Sequence, residues 1–223
     1  NKIKYLVMVH CDTSVGILNS IEKIKKAING LNCYLIVDSV SSFGVVPINM
    51  DESNIDILIT NPNKALSSHM GLGIIIINNK LAESFSEKIC GSYSLNLKRH
   101  YNLAIKSETC NSVSISAMNA LNTALFSKYR TKEKILSTYK KYYDLFNYTY
   151  EKLGNLDYKF FISKEKSCPA VITVIIDNSN YLIDYLKYNN FIVYPCKGSL
   201  FNKGFQISFY GYDANFDNID ILI

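Results

Sequence analysis

The stretch from Leu35 to Leu72, LIVDSVSSFGVVPINMDESNIDILITNPNKALSSHMGL, decides the fold. Its first apolar run ends at Asp38 and reads as a buried parallel strand that delivers an acid at its carboxyl end. A second strand, Asp56 to Thr60, leads into Asn61-Pro62-Asn63, whose turn chemistry swings Lys64 toward the cleft. Gly71 to Ile77 is a return strand, and its run of isoleucines predicts burial on both faces. Open α/β sheets place their ligands outside the carboxyl ends of the strands, where this acid and this amine stand. Each group also has an ordinary reading, because aspartates often end strands and loop lysines are usually solvated.

Working outward, Tyr5 to Val9 is a strand, and Cys11 to Gly16 is a polar loop at its end. The apolar stripe Ile21, Ile24 and Ile28 predicts a helix over about Leu18 to Asn29, ended by Gly30. Cys33 to Val37 is the strand that carries Asp38, with Cys33 inside it. Downstream, Leu81 to Lys88 is a short helix. A further helix begins near Ser112, with Ile115, Met118, Ala120, Leu121 and Leu125 as a packed stripe. The long helix Thr131 to Leu153 hands the chain to a smaller α+β unit after Gly154. There strands are expected at Tyr158–Ile162, Ala170–Ile176, Phe191–Tyr194 and Phe205–Phe209, with a helix over Asn180–Lys187.

A chain of 223 residues with 48% hydrophobics can bury a real core and is not disordered. The formal charge of +5 comes from scattered lysines, which argues against a nucleic-acid footprint. The tyrosines of the long helix lack a basic platform and read as packing. Cysteines at 11, 33, 90, 110, 168 and 196 lack CxxC spacing, so neither a metal site nor a disulfide framework is indicated. Reduced cytosolic thiols are the simplest account. No apolar run is long enough to cross a membrane and no signal peptide is visible, which predicts a cytoplasmic protein.

The Asp38 and Lys64 pair is the minimum equipment of a pyridoxal 5'-phosphate site, in which the lysine binds the cofactor aldehyde and the acid keeps the pyridine nitrogen protonated. The segments VHCDTSVGILNSI, LIVDSVSSFGVVPI and ILITNPNKALSSHMGLGIII resemble, in order and spacing, the core of the fold-type I, class V aminotransferases. Within that family the 2-aminoethylphosphonate–pyruvate transaminases are nearest in pattern, with the alanine–glyoxylate transaminases behind.

The resemblance implies an α/β fold: a three-layer large domain with a mostly parallel sheet, of which residues 1–130 form the C-terminal part. A linking helix and small α+β domain over 131–223 would follow. It also implies a pyridoxal 5'-phosphate-dependent transfer of an amino group from 2-aminoethylphosphonate, or a similar small amine, to pyruvate, in a homodimer. Lys64 would bind the cofactor, Asp38 would pair with its ring nitrogen, and Thr13 would lie near its ring. Asn63 would contact its phosphate, and Thr109 the phosphate of the partner subunit's cofactor. Asp12 and Gln206 would face the substrate.

The family places a long N-terminal part ahead of the strand with which this chain opens, so the resemblance also implies a fragment, with an inactive remnant as an alternative. A class V desulfurase or lyase is the other enzyme reading and would want a mobile cysteine near Cys196. One departure stands out. Relatives carry Phe-Arg-Ile in the last strand, where the arginine clamps a substrate carboxylate, and this chain has Phe205-Gln206-Ile207.

Overall fold

The computed structural model describes residues 3–85 and 91–223. Strands β1 (Tyr5–Val9), β2 (Cys11–Asp12) and β3 (Ile17–Leu18) precede helix α1 (Ile21–Ala27). Then come β4 (Tyr34–Asp38), α2 (Met50–Ser53), β5 (Ile57–Thr60), β6 (Ile74–Ile77), α3 (Asn79–Ser84) and α4 (Leu97–Ala104). Helices α5 (Ile115–Lys128) and α6 (Lys132–Asn155) lead to β7 (Lys159–Phe160), β8 (Val171–Ile175), α7 (Ser179–Tyr188), β9 (Tyr194–Pro195), β10 (Gly204–Ser208) and α8 (Phe216–Leu222).

The first sheet has the order β1-β4-β5-β6, in which β1, β4 and β5 are parallel and β6 returns antiparallel to β5. Period-two alternation sends Leu35 and Val37 of β4 to one face, where they pack with Ile21 of α1, Ile55 and Leu58. Asp38 and Ile36 therefore point to the opposite face. There Tyr5, Val7 and Val9 of β1 are exposed. The second sheet, β7-β8-β10-β9, is antiparallel throughout. It packs on α6 through Leu145, Phe146 and Leu153, each contributing about 1.5–3 kcal/mol when fully buried. Cys11, Val45, Val46 and Ala65 belong to that same core, so the loops at the strand ends of the first sheet pack directly against the second. This is an α/β fold with a mixed sheet followed by a smaller α+β region.

Several local expectations are corrected. The first helix starts at Ile21, not Leu18, because Ile17 and Leu18 pair with Cys11 and Asp12 in a short hairpin and Ser20 caps the helix. Cys33 lies just ahead of β4 rather than inside it. The isoleucine run is not buried on both faces: on β6, the last strand of its sheet, Ile75 is 46% and Ile76 38% exposed. Helix α5 starts at Ile115 under a Ser114 cap. It does not pack through its large apolar residues; Ala117 and Ala124 are buried, while Ile115, Met118 and Leu125 are exposed. Small residues let α5 approach its neighbours closely, and this turns the bulky positions outward. The expected helix Leu81–Lys88 is found as α3, and residues 86–88 lie outside the described residues. The strand placed at Phe191–Tyr194 is instead Tyr194–Pro195, and helix α8 was not anticipated.

Candidate active site

The carboxyl ends of β1, β4 and β5 meet at one node, the turn Ser41-Ser42-Phe43-Gly44. Ser39 locks its start by donating both its backbone N–H (2.8 Å) and its hydroxyl (3.0 Å) to the Ile59 carbonyl on β5. Gly44 closes the turn at φ +82°, and a Cβ there would come within 2.7 Å of the Tyr129 hydroxyl. That hydroxyl, at the end of α5, lies 3.3 Å from both the Gly44 and Ala65 carbonyls, and so ties the turn to the Lys64 loop.

Lys64 reaches back into this node. Its Nζ donates to Ser41 Oγ at 2.6 Å and lies 5.6 Å from the centroid of the Tyr210 ring. The Tyr210 hydroxyl donates to the Ser41 carbonyl, and its burial pushes the phenol well above its ordinary value. Among the described residues Lys64 makes no ion pair. Its amine is therefore held by a neutral hydroxyl rather than a carboxylate. Asp38 Oδ1 accepts the Val40 N–H at 2.9 Å.

The other sequence-nominated residues divide into two groups. The Gln206 amide donates to the Thr13 carbonyl (2.8 Å) and to Thr173 Oγ1 (3.0 Å), which in turn donates to the Val15 carbonyl (2.8 Å). Gln206 thus fastens the second sheet to the loop that carries Thr13. Asp12 is exposed and turned into its own loop, accepting from the Ser14 N–H and hydroxyl. Asn63 and Thr109 are exposed.

Reading the sequence missed Ser41, His10 and Tyr210 as site residues, and also the buried polar atoms without hydrogen-bond partners among the described residues, Thr60 Oγ1, Asn61 Oδ1, Ser68 Oγ, Arg99 Nη1 and Ser179 Oγ. Thr60, Asn61 and Ser68 lie on the stretch that carries Lys64. Buried polar atoms left unpaired are costly, so each is a place where a polar ligand could complete the bonding. An amine without a carboxylate partner among the described residues and an acid on a neighbouring strand end fit the two groups that pyridoxal phosphate needs at its aldehyde and its ring nitrogen.

His10 is buried, and its Nδ1 lies 2.8 Å from Ser42 Oγ. Burial lowers its pKa from 6.5 to about 4, so the ring is neutral at pH 7. Between these values the unfolded chain binds a proton that the folded chain refuses. Stability is therefore full above about pH 6.5 and falls as the pH drops toward 4, by roughly 3 kcal/mol in total. Urea unfolding between pH 7.5 and 4.5 should show this slope, and His10→Asn should flatten it; an unchanged slope would show that His10 is not its source.

The class-V aminotransferase family model matches residues 1–189. A 2-aminoethylphosphonate–pyruvate transaminase of Lysinibacillus sphaericus (strain C3-41) is 26% identical over 199 residues, covering 87% of this chain and 54% of that protein. The chain thus spans about half the length of the curated relative. Two crystal structures share the fold. One is an alanine–glyoxylate aminotransferase from Nostoc sp., with TM-score 0.84, 22% identity, and coverage of 97% of this chain and 59% of that one. The other is a ureidoglycine–glyoxylate aminotransferase from Bacillus subtilis, with TM-score 0.86, 20% identity, and coverage of 99% and 59%. With the family match running from the first strand through α7, across every residue of the Ser41 node except Tyr210, this chain belongs to the class-V aminotransferases.

Proposed function

We propose that this chain acts as a pyridoxal 5'-phosphate-dependent transaminase that moves an amino group from 2-aminoethylphosphonate, or a similar small amine, to pyruvate. The observation that carries this reading is the Lys64 amine at the strand ends, bonded to Ser41 Oγ with no carboxylate partner among the described residues. When bound, the cofactor supplies an aldehyde for the amine and an electron sink for the charge that develops at the substrate carbon. Lys64 would hold it covalently and, once displaced by substrate, move the proton. Asp38 would keep the ring nitrogen charged. Thr13 would lie near the ring and Asn63 at the phosphate, and Thr109 would reach the site of a second copy in a cytoplasmic homodimer. In this reading residues 1–130 belong to the large domain and 131–223 to the linking helix and small domain.

The substrate assignment is supported by the relatives of that name and stands apart from the alanine–glyoxylate alternative. The desulfurase reading loses ground, because Cys196 is buried and its N–H donates to the Gly204 carbonyl rather than lying on an open loop. The test is to load the protein with pyridoxal 5'-phosphate and follow the visible band of the lysine-bound cofactor. Adding 2-aminoethylphosphonate should discharge the band. A band discharged by alanine but not by 2-aminoethylphosphonate would overturn the donor assignment, and no band at all would favour the inactive remnant.

Gln206 gives a second expected result. In the position where relatives carry a carboxylate clamp, a neutral amide cannot supply a charged fork. Amination of pyruvate should therefore be weak. Gln206→Arg retains donors for Thr13 and Thr173 and adds a charge, so kcat/KM for alanine should rise at least about tenfold, or roughly 1.4 kcal/mol. Equal values in the two proteins would show that Gln206 serves only to fasten the Thr13 loop.

A further inference from the structure

We propose that the cavity between the end of α5, helix α6 and the residues that follow β10 binds a small phosphate or phosphonate dianion. Its volume is about 220 Å³. That is below the roughly 300–1,000 Å³ of pockets that enclose drug-sized ligands, and it suits a head group with little attached. Two lysines line it, Lys128 at the last residue of α5 and Lys141 on α6. Ala65 and Phe209, both buried, supply apolar wall beside them. Among the described residues neither lysine pairs with a carboxylate. The nearest acid along α6, Asp144, is taken by Lys140 at 2.6 Å. Lys128 gives one N–H to Ser67 Oγ at 2.8 Å, and an ammonium has three.

The charge of the cavity selects the ligand. Two cations that share a small, partly apolar space without an acid repel each other, and burial adds to the cost. Burial first, and then the charge of Lys141, lower the Lys128 pKa accordingly. A phosphate monoester or phosphonate carries close to two negative charges at pH 7 and three acceptor oxygens, which matches both lysines. A carboxylate carries one charge and would leave one lysine uncompensated. Tyr142 also lines the cavity, and burial raises its pKa, so it keeps its proton and remains a donor. The cavity is not the Ser41 node. Lys64 does not line it, because its amine turns to Ser41 Oγ and the face of Tyr210. The two places adjoin, since Ala65 follows Lys64 and the Tyr142 ring meets the edge of Tyr210 with centroids 6.5 Å apart. The proposal rests on the lining of the cavity and does not depend on what Lys64 binds.

Titration calorimetry at pH 7.5 and low salt tests this, with inorganic phosphate and methylphosphonate as separate probes. One site per chain is expected, with Kd below about 1 mM, and the two probes should displace each other. The tighter binder of the two names the head group of the ligand. Salt at about 0.3 M should weaken binding, because the attraction is between charges. Lys141→Gln changes an exposed position and should weaken phosphate binding about tenfold or more. Lys128→Gln keeps a donor for Ser67, should melt close to the parent, and should weaken phosphate to the same degree. The double variant should show no binding. Lys140→Gln, one residue away but paired with Asp144, should bind phosphate as the parent does. No heat from the parent with either probe up to about 10 mM would overturn the proposal. So would undiminished binding in Lys141→Gln or in the double variant, since the anion would then sit elsewhere.

Discussion

Lys64→Ala is expected to lower amino-group transfer by roughly 10^4-fold or more, because it removes the covalent anchor and the proton carrier together. The geometry gives the reason for choosing this lysine. It follows the buried strand β5, and Tyr129 ties its loop to the Gly44 turn. Its Nζ is held at 2.6 Å by Ser41 Oγ, with no carboxylate partner among the described residues. Other lysines are committed elsewhere, as Lys152 is to Asp220 (2.5 Å) and Lys164 to Glu151 (3.0 Å). Lys64→Arg should fail as fully, since a guanidinium stays protonated and cannot act as the nucleophile. Borohydride trapping of the loaded protein, followed by peptide mapping, identifies the lysine directly. The modified residue should block tryptic cleavage after Lys64, leaving one peptide from Ala27 to Lys80. An adduct on any other lysine would remove Lys64 from the role.

Asp38→Asn is the second large effect, expected to lower transfer by about 10^2–10^4-fold while leaving the fold nearly intact. Asp38 ends β4, with Val9 and Ile59 as its parallel neighbours on either side. One carboxylate oxygen accepts the Val40 N–H at 2.9 Å, and the side chain points away from the face covered by α1. Asparagine keeps an oxygen for Val40, so the turn loses little. What it loses is the negative charge that would hold a pyridine nitrogen protonated at neutral pH. The measurement pairs steady-state transfer rates with urea unfolding of both proteins. A variant within about twofold of the parent in rate would show that Asp38 only shapes the turn.

The Ser41 node explains why these two residues are judged together. Asp38 and Lys64 are carried by adjacent parallel strands, and Ser39 joins those strands at their ends. Tyr210 reaches the same node from the second sheet, through the Ser41 carbonyl and the face of its ring. The site is thus assembled from both sheets, and a change in how they meet is felt at Lys64.

Much of this was legible in the order of residues alone. Period-two apolar runs ending in Asp38 and Thr60, an Asn-Pro-Asn turn before Lys64, and stripes at helical spacing specify elements through local sterics and burial, which the sequence carries directly. Strands β1, β4 and β5 and helix α6 therefore stand within a residue or two of their expected places. The exposed faces of β6 and α5 were not legible, because a run such as Ile74–Ile77 states what a strand can bury but not which neighbours arrive to bury it. Nor was the meeting of Tyr210 with Ser41, or of Gln206 with Thr13. Each joins residues distant in the chain, and no local propensity encodes such a pair. Only the packing of the second sheet against the strand ends of the first decides it.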